Sequence, residues 1–154
     1  MTTRDKLVLL VTGIFLMSTG SAIAQDSAVD EADVWATIEG QWEASEKNDN
    51  DWMDELLSDD FSGWGKTSPA PRSKSSTRMW EEFDGAQGKT LEHELYPLAI
   101  VVHDDVAVAH YFFTIAIESK DDKVEVNNGR YTDVLVRTED GWKFIAWHGG
   151  EDDE

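Results

Sequence analysis

The chain has 154 residues, 13 Lys and Arg against 32 Asp and Glu, a formal net charge of −19, and no cysteine. Nucleic acid and anionic membrane surfaces are bound by clustered cations that displace counterions, so so acidic a chain excludes both as partners. Disulfide staples and a lipidated N-terminal cysteine are excluded as well, and seven Trp, six Phe and three Tyr must supply the core instead.

The first element is a leader. Arg4 and Lys6 give a positive start, Leu7 to Met17 form an apolar run, and Ser21-Ala22-Ile23-Ala24 offers the small-x-small pattern that signal peptidase cuts. A spanning helix needs about 20 apolar residues, and Ser18, Thr19 and Ser21 interrupt this run early. The reading is a signal peptide over residues 1–24, a mature chain starting at Gln25, and a periplasmic or secreted destination. Residues 25–30 are then a flexible N-terminus, 31–149 one domain, and 150–154 an acidic tail.

Val34, Trp35, Ile38, Trp42 and Ser45 recur at helical spacing, with Glu39, Glu43 and Glu46 opposite, so an amphipathic helix is expected from Asp30 to about Lys47. A short helix with Trp52, Met53, Leu56 and Leu57 on its apolar side follows, N-capped by Asn50 or Asp51. Phe61 to Gly65 reads as a strand or bend, and Thr67 to Ser76, with Pro69 and Pro71, as a loop. A third helix over about Ser75 to Phe83 is expected to bury Met79, Trp80 and Phe83 and to end at Gly85. Beyond Gly88 the pattern changes to strands: Leu91–Val102, with an edge or bulge at Pro97, then Val106–Glu118, Val124–Arg137 and Trp142–His148. Tight turns at 103–105, 119–123 and 138–141 imply an antiparallel meander. Helices first and a curled antiparallel sheet after them make an α+β layout.

Strand alternation assigns faces in the last hairpin. If Lys143 faces water, then Trp142, Phe144, Ala146 and His148 face inward. If Arg137 and Asp133 face water, then Arg130, Thr132, Val134 and Val136 face inward, which sets His148 opposite Thr132 and near Arg130. Val106–Glu118 is apolar on both faces, so a second subunit is expected to cover its outer side. His93, His103, His110 and His148 never stand at ligand spacing, so no metal site is expected. Arg72, Lys74 and Arg78 form a basic cluster whose simplest reading is a helix start with scattered counter-charges.

The stretches Gly129-Arg130-Tyr131-Thr132-Asp133-Val134 and Asp140-Gly141-Trp142-Lys143-Phe144-Ile145-Ala146-Trp147-His148 resemble the closing hairpin of the nuclear-transport-factor-2-like superfamily, more narrowly its SnoaL-like and DUF4440-type domains. Phe61 to Gly65, followed by Pro69, Pro71, Arg72 and Lys74, is similar to the segment after the helices in that group. The resemblance covers roughly residues 31–149 and implies a cone-shaped α+β barrel, with N-terminal helices packed on a curved antiparallel sheet around a cavity. In it, His148 matches a histidine that often ends the last strand, and Arg130 and Thr132 match commonly polar positions; with Trp64, Tyr96 and Tyr111 these are the candidate pocket residues.

Three functions stay open at this level. One is an exported domain holding a small, partly apolar molecule, oriented by Arg130 or His148 on an anionic or carbonyl group. Another is a cofactor-free isomerase, cyclase or dehydratase, with His148 as general base and Tyr111 or Tyr96 stabilising an oxyanion. The third is a non-catalytic homodimeric assembly module joined through the outer sheet face. None of the three calls for a cofactor.

Overall fold

The computed structural model describes residues 20–152, with side chains from Ser27 onward. The charged start and apolar run of the expected leader lie outside the described residues. Helix α1 spans Gly20–Glu46, through both the expected cleavage point and residues 25–30. No Gly or Pro falls between positions 21 and 39 to stop it. Its early turns are tied down by a Ser27–Glu31 hydrogen bond (3.1 Å) and by Asp30, which pairs with Arg137 at 2.6 Å. Val34 and Ile38 are fully buried, and Trp35 and Trp42 pack beside them on the core. Asn48, at φ 55°, reverses the chain after the helix.

Short helix α2 (Trp52–Leu56) leads directly into strand β1 (Leu57–Gly65). Within the expected loop, Arg72–Ser73 form a two-residue strand, β2, paired antiparallel to β1. Helix α3 (Lys74–Gly85) follows, N-capped by Ser73, whose hydroxyl accepts from the Ser76 amide. Thr77 is its buried residue, whereas Met79, Trp80 and Phe83 are exposed, contrary to the expected apolar packing. The helix leans on the sheet edge through its polar side and leaves those three outside.

Strands β3 (Gly88–His103), β4 (Val106–Ser119), β5 (Val124–Thr138) and β6 (Gly141–Glu151) form the meander. The spatial order is β2-β1-β6-β5-β4-β3 in one curved, unclosed six-stranded sheet. Its pairs are antiparallel except β1–β6, which is parallel, so the sheet is mixed where a purely antiparallel one was expected. The expected turns are all present, with Asp104, Asp122 and Gly141 at positive φ. Pro97 stands at a register shift on the edge strand β3, where its missing N–H costs no ladder bond.

One irregularity governs the faces. Between Val134 and Leu135 the β5–β6 register shifts, because Val134 pairs with Ala146 and Leu135 with Phe144, leaving Ile145 as an extra residue. Trp142 and Phe144 therefore face the helices, but past Ile145 the inward side chains are Trp147 and Gly149. The inward row of β5 is Tyr131, Asp133, Leu135 and Arg137. Asp133 is 1% exposed, the reverse of its expected placement. Arg130, Thr132, Val134 and Val136 form the outer row, with Ala146 and His148 across from Val134 and Thr132. The acidic tail is partly built into the sheet: Glu151 ends β6, and Asp152 binds Arg130 at 2.7 Å.

Candidate functional site: a cavity floored by a buried carboxylate

A cavity of about 420 Å³ lies between α1, the concave face of the sheet, and the segment from β1 to α3. Its size is that of a pocket for a small organic molecule. Helix α1 contributes Gln41, Trp42 and Ser45; the sheet contributes Tyr111, Phe113, Tyr131, Asp133 and Trp147; Lys66, Arg72, Glu81 and Asp84 line it from the segment between β1 and the end of α3. A polar cavity of about 400 Å³ adjoins it, sharing Ser45, Glu81, Asp84, Thr90 and Glu151.

The aromatic wall is continuous. Trp42 lies 5.0 Å from Phe113, 6.2 Å from Tyr131 and 6.4 Å from Tyr111, ring centre to ring centre. Tyr111 and Tyr131 stack at 6.1 Å. Close approach of backbone completes the wall: a Cβ on Gly129 would overlap the Phe113 ring and the Gly150 carbonyl, and one on Gly149 would overlap the Arg130 carbonyl and Tyr131. These glycines let β5 and β6 pass close beneath the rings.

Asp133 sits within this wall. Trp42 Nε1 donates to the Tyr111 hydroxyl (3.0 Å), and that hydroxyl donates to Asp133 Oδ2 (2.9 Å). The relay joins residues from α1, β4 and β5 in one line. Burial lifts the Asp133 carboxyl from its usual 3.8 to about 7, against the hydrogen bond from Tyr111, which favours the charged form. Burial, then the nearby Asp133 charge, holds both Tyr111 and Tyr131 above the ordinary phenol range. Glu81 is raised too, first by burial and then by Asp84, with Ser45 and Arg72 pulling it back. A carboxyl that exchanges its proton near neutrality, hydrogen-bonded to a phenol that keeps its own, can act as acid, base or ligand anchor.

Of the six residues expected in the pocket, the structure brings Tyr111 to it. His148 projects from the outer face, opposite Thr132 as expected from the register but on the other side of the sheet, with its ring 5.7 Å from Trp64. The bulge at Ile145 is the reason. Trp64 is 46% exposed there and donates Nε1 to the Ser68 carbonyl. Thr132 bonds His110 Nδ1 at 2.8 Å on the same face. Arg130 is held outside by Asp152, and Tyr96 is exposed beside Glu94, its hydroxyl partner. His148 is therefore no base for this cavity. Sequence reasoning passed over Asp133, Trp42, Tyr131 and Trp147 as site residues. Among the described residues, no group of three or more His, Asp or Glu side chains is placed to hold a metal ion.

The comparisons agree with this architecture. The description "SnoaL-like domain" matches residues 34–150. A conserved protein from Planctomyces limnophilus is similar in structure, with TM-score 0.72 and 16% identity over 81% of this chain and 99% of that one. A ketosteroid isomerase-like protein from Erwinia carotovora atroseptica gives 0.71 and 14%, covering 81% and 98%. A nuclear transport factor 2-like superfamily protein from Salmonella enterica gives 0.68 and 17%, covering 82% and 94%. No curated protein matches the sequence. At these identities the structural neighbours show the fold alone, a nuclear-transport-factor-2-like one, and the matched residues show the family: the chain belongs to the SnoaL-like domain family.

Proposed function

We propose that this protein binds a small, partly apolar molecule in the cavity between α1 and the sheet, with Asp133 as the polar group that fixes its orientation. The observation that carries this reading is the buried Asp133 carboxyl at an aromatic wall, held by the Trp42–Tyr111 relay. A buried carboxyl costs stability, and groups that burial perturbs this strongly cluster at functional sites. The test is native mass spectrometry of protein purified from its natural host, beside a Ser45→Phe variant that places a ring in the cavity from α1. A bound small molecule in the parent and none in the variant is the expected result. Equal retention by both proteins, or none by the parent, would argue against the reading.

A second reading is favoured by the position of the Asp133 pKa near 7, which suits a general base or acid at neutral pH. In it, Asp133 moves a proton on a carbonyl compound, in keeping with the ketosteroid isomerase-like neighbour. A β,γ-unsaturated ketosteroid is the first substrate to assay. Asp133→Asn should abolish turnover, and His148→Ala should leave it unchanged; the opposite pattern would return the chemistry to the outer face.

Two further proposals concern context. The outer sheet face carries Val101, Phe112 and Val126, each more than 40% exposed, which supports a homodimer joined there. The leader-like residues 1–24 support export, so that the cavity works in the periplasm or outside the cell.

A further inference from the structure

The charges around the cavity are unequal. Asp133 stands in the wall, and Glu81, Asp84 and Glu151 stand where it adjoins the polar cavity. Two cations line the same space, Lys66 and Arg72. Arg72 lies over the ring of Trp80 at 4.4 Å, and its charge also acts on Glu81. Arg130, in the outer row of β5, is bound to Asp152 outside the cavity. The rest of the lining is rich in π-surface: Trp42, Tyr111, Phe113, Tyr131 and Trp147.

Aromatic faces carry a negative quadrupole and attract cations, the more so away from water. Carboxylates do the same, and a cation beside a buried carboxyl favours its ionised form. Among the described residues, an anionic ligand would meet four carboxyl groups and five electron-rich rings against the two cations Lys66 and Arg72. A neutral one would leave the charge imbalance untouched. We propose that the cavity selects a small organic cation, an ammonium group carried on an apolar body, over neutral and anionic molecules of the same size. The ammonium sits against the wall at Asp133, and the apolar body lies along Trp42, Phe113 and Trp147. This inference rests on the reading that the cavity binds a small molecule, and it names the charge of that molecule.

The experiment compares three probes with one phenylpropyl body: 3-phenylpropylammonium, 3-phenylpropan-1-ol and 3-phenylpropanoate. Binding to the full mature chain is followed through the indole N–H signals of Trp42 and Trp147 in NMR titrations. The ammonium probe should bind at least about tenfold more tightly than the alcohol, and the carboxylate most weakly. Asp133→Asn should bring ammonium and alcohol to within about twofold of each other. Glu81→Gln, on α3, should narrow the preference in the same direction, so the outcome does not depend on the folding of one core variant. Equal or tighter binding of the alcohol or the carboxylate overturns the selectivity while leaving a working cavity. Absence of any shift with all three probes overturns the cavity reading along with it.

Discussion

The burial of Asp133 makes a quantitative statement about stability. Its carboxyl titrates at about 7 in the folded chain and at about the usual 3.8 when unfolded, so the folded state holds its proton over a range where the unfolded state has released it. Stability from this group is full below the unfolded value and is lost as pH rises toward and through about 7. The difference of about 3 pH units corresponds to about 4 kcal/mol at 1.36 kcal/mol per unit. Asp133→Asn keeps the shape and still accepts the Tyr111 hydrogen bond through its amide oxygen, but carries no charge to desolvate. The stability gap between variant and parent should therefore widen in the variant's favour by about 4 kcal/mol from about pH 4 to about pH 8. The other carboxylates titrate in both proteins and cancel in the difference. Urea unfolding followed by tryptophan fluorescence, at matched ionic strength, measures the gap at each pH. A gap independent of pH, or one widening toward acid, would refute the link between burial and the proton on Asp133.

Other outcomes follow from the geometry. Gly129→Ala forces a methyl onto the Gly150 carbonyl and the Phe113 ring, and should cost about 1–3 kcal/mol in urea unfolding; a neutral substitution would show that the strands can part there. Phe112→Glu puts a charge on the exposed outer face, and should convert a dimer to a monomer in sedimentation while changing protomer stability by only about 0.5 kcal/mol; a parent that is already monomeric would rule the dimer out. N-terminal sequencing of the protein recovered from its host's periplasm or medium should begin at Gln25, and an intact Met1 would remove the case for export.

The order of elements was legible because it rests on local signals. The i, i+4 spacing of Val34, Ile38 and Trp42 marks a buried helix face wherever it occurs, and Pro97 marks an edge irregularity. The candidate site was less legible, because sidedness is decided by contacts distant in sequence. In β5 the rows Arg130-Thr132-Val134-Val136 and Tyr131-Asp133-Leu135-Arg137 are almost equally apolar, and a lone carboxylate is usually outside. What holds Asp133 inside is a hydroxyl 22 residues away, itself supported by an indole 69 residues from it. No local pattern contains that information. The same limit applies to α3, where the spacing of Met79, Trp80 and Phe83 describes an apolar stripe without saying what it meets.

The bulge at Ile145 makes the cavity sensitive to strand pairing as well as to composition. Deleting Ile145 would remove the bulge and leave the faces as they are, with Ala146 outward, Trp147 inward and His148 outward; drawing Ile145 into regular pairing, with no residue removed, would instead turn Trp147 outward and His148 toward Asp133. Flattening the bulge would thus exchange an indole wall for an imidazole beside a carboxyl without changing any residue at all. Within such a fold, whether one residue of the last strand is bulged or paired can alter the chemistry of the interior more than many substitutions. Relatives of this chain are therefore best aligned by which side of the last strand each residue faces, and only then by identity.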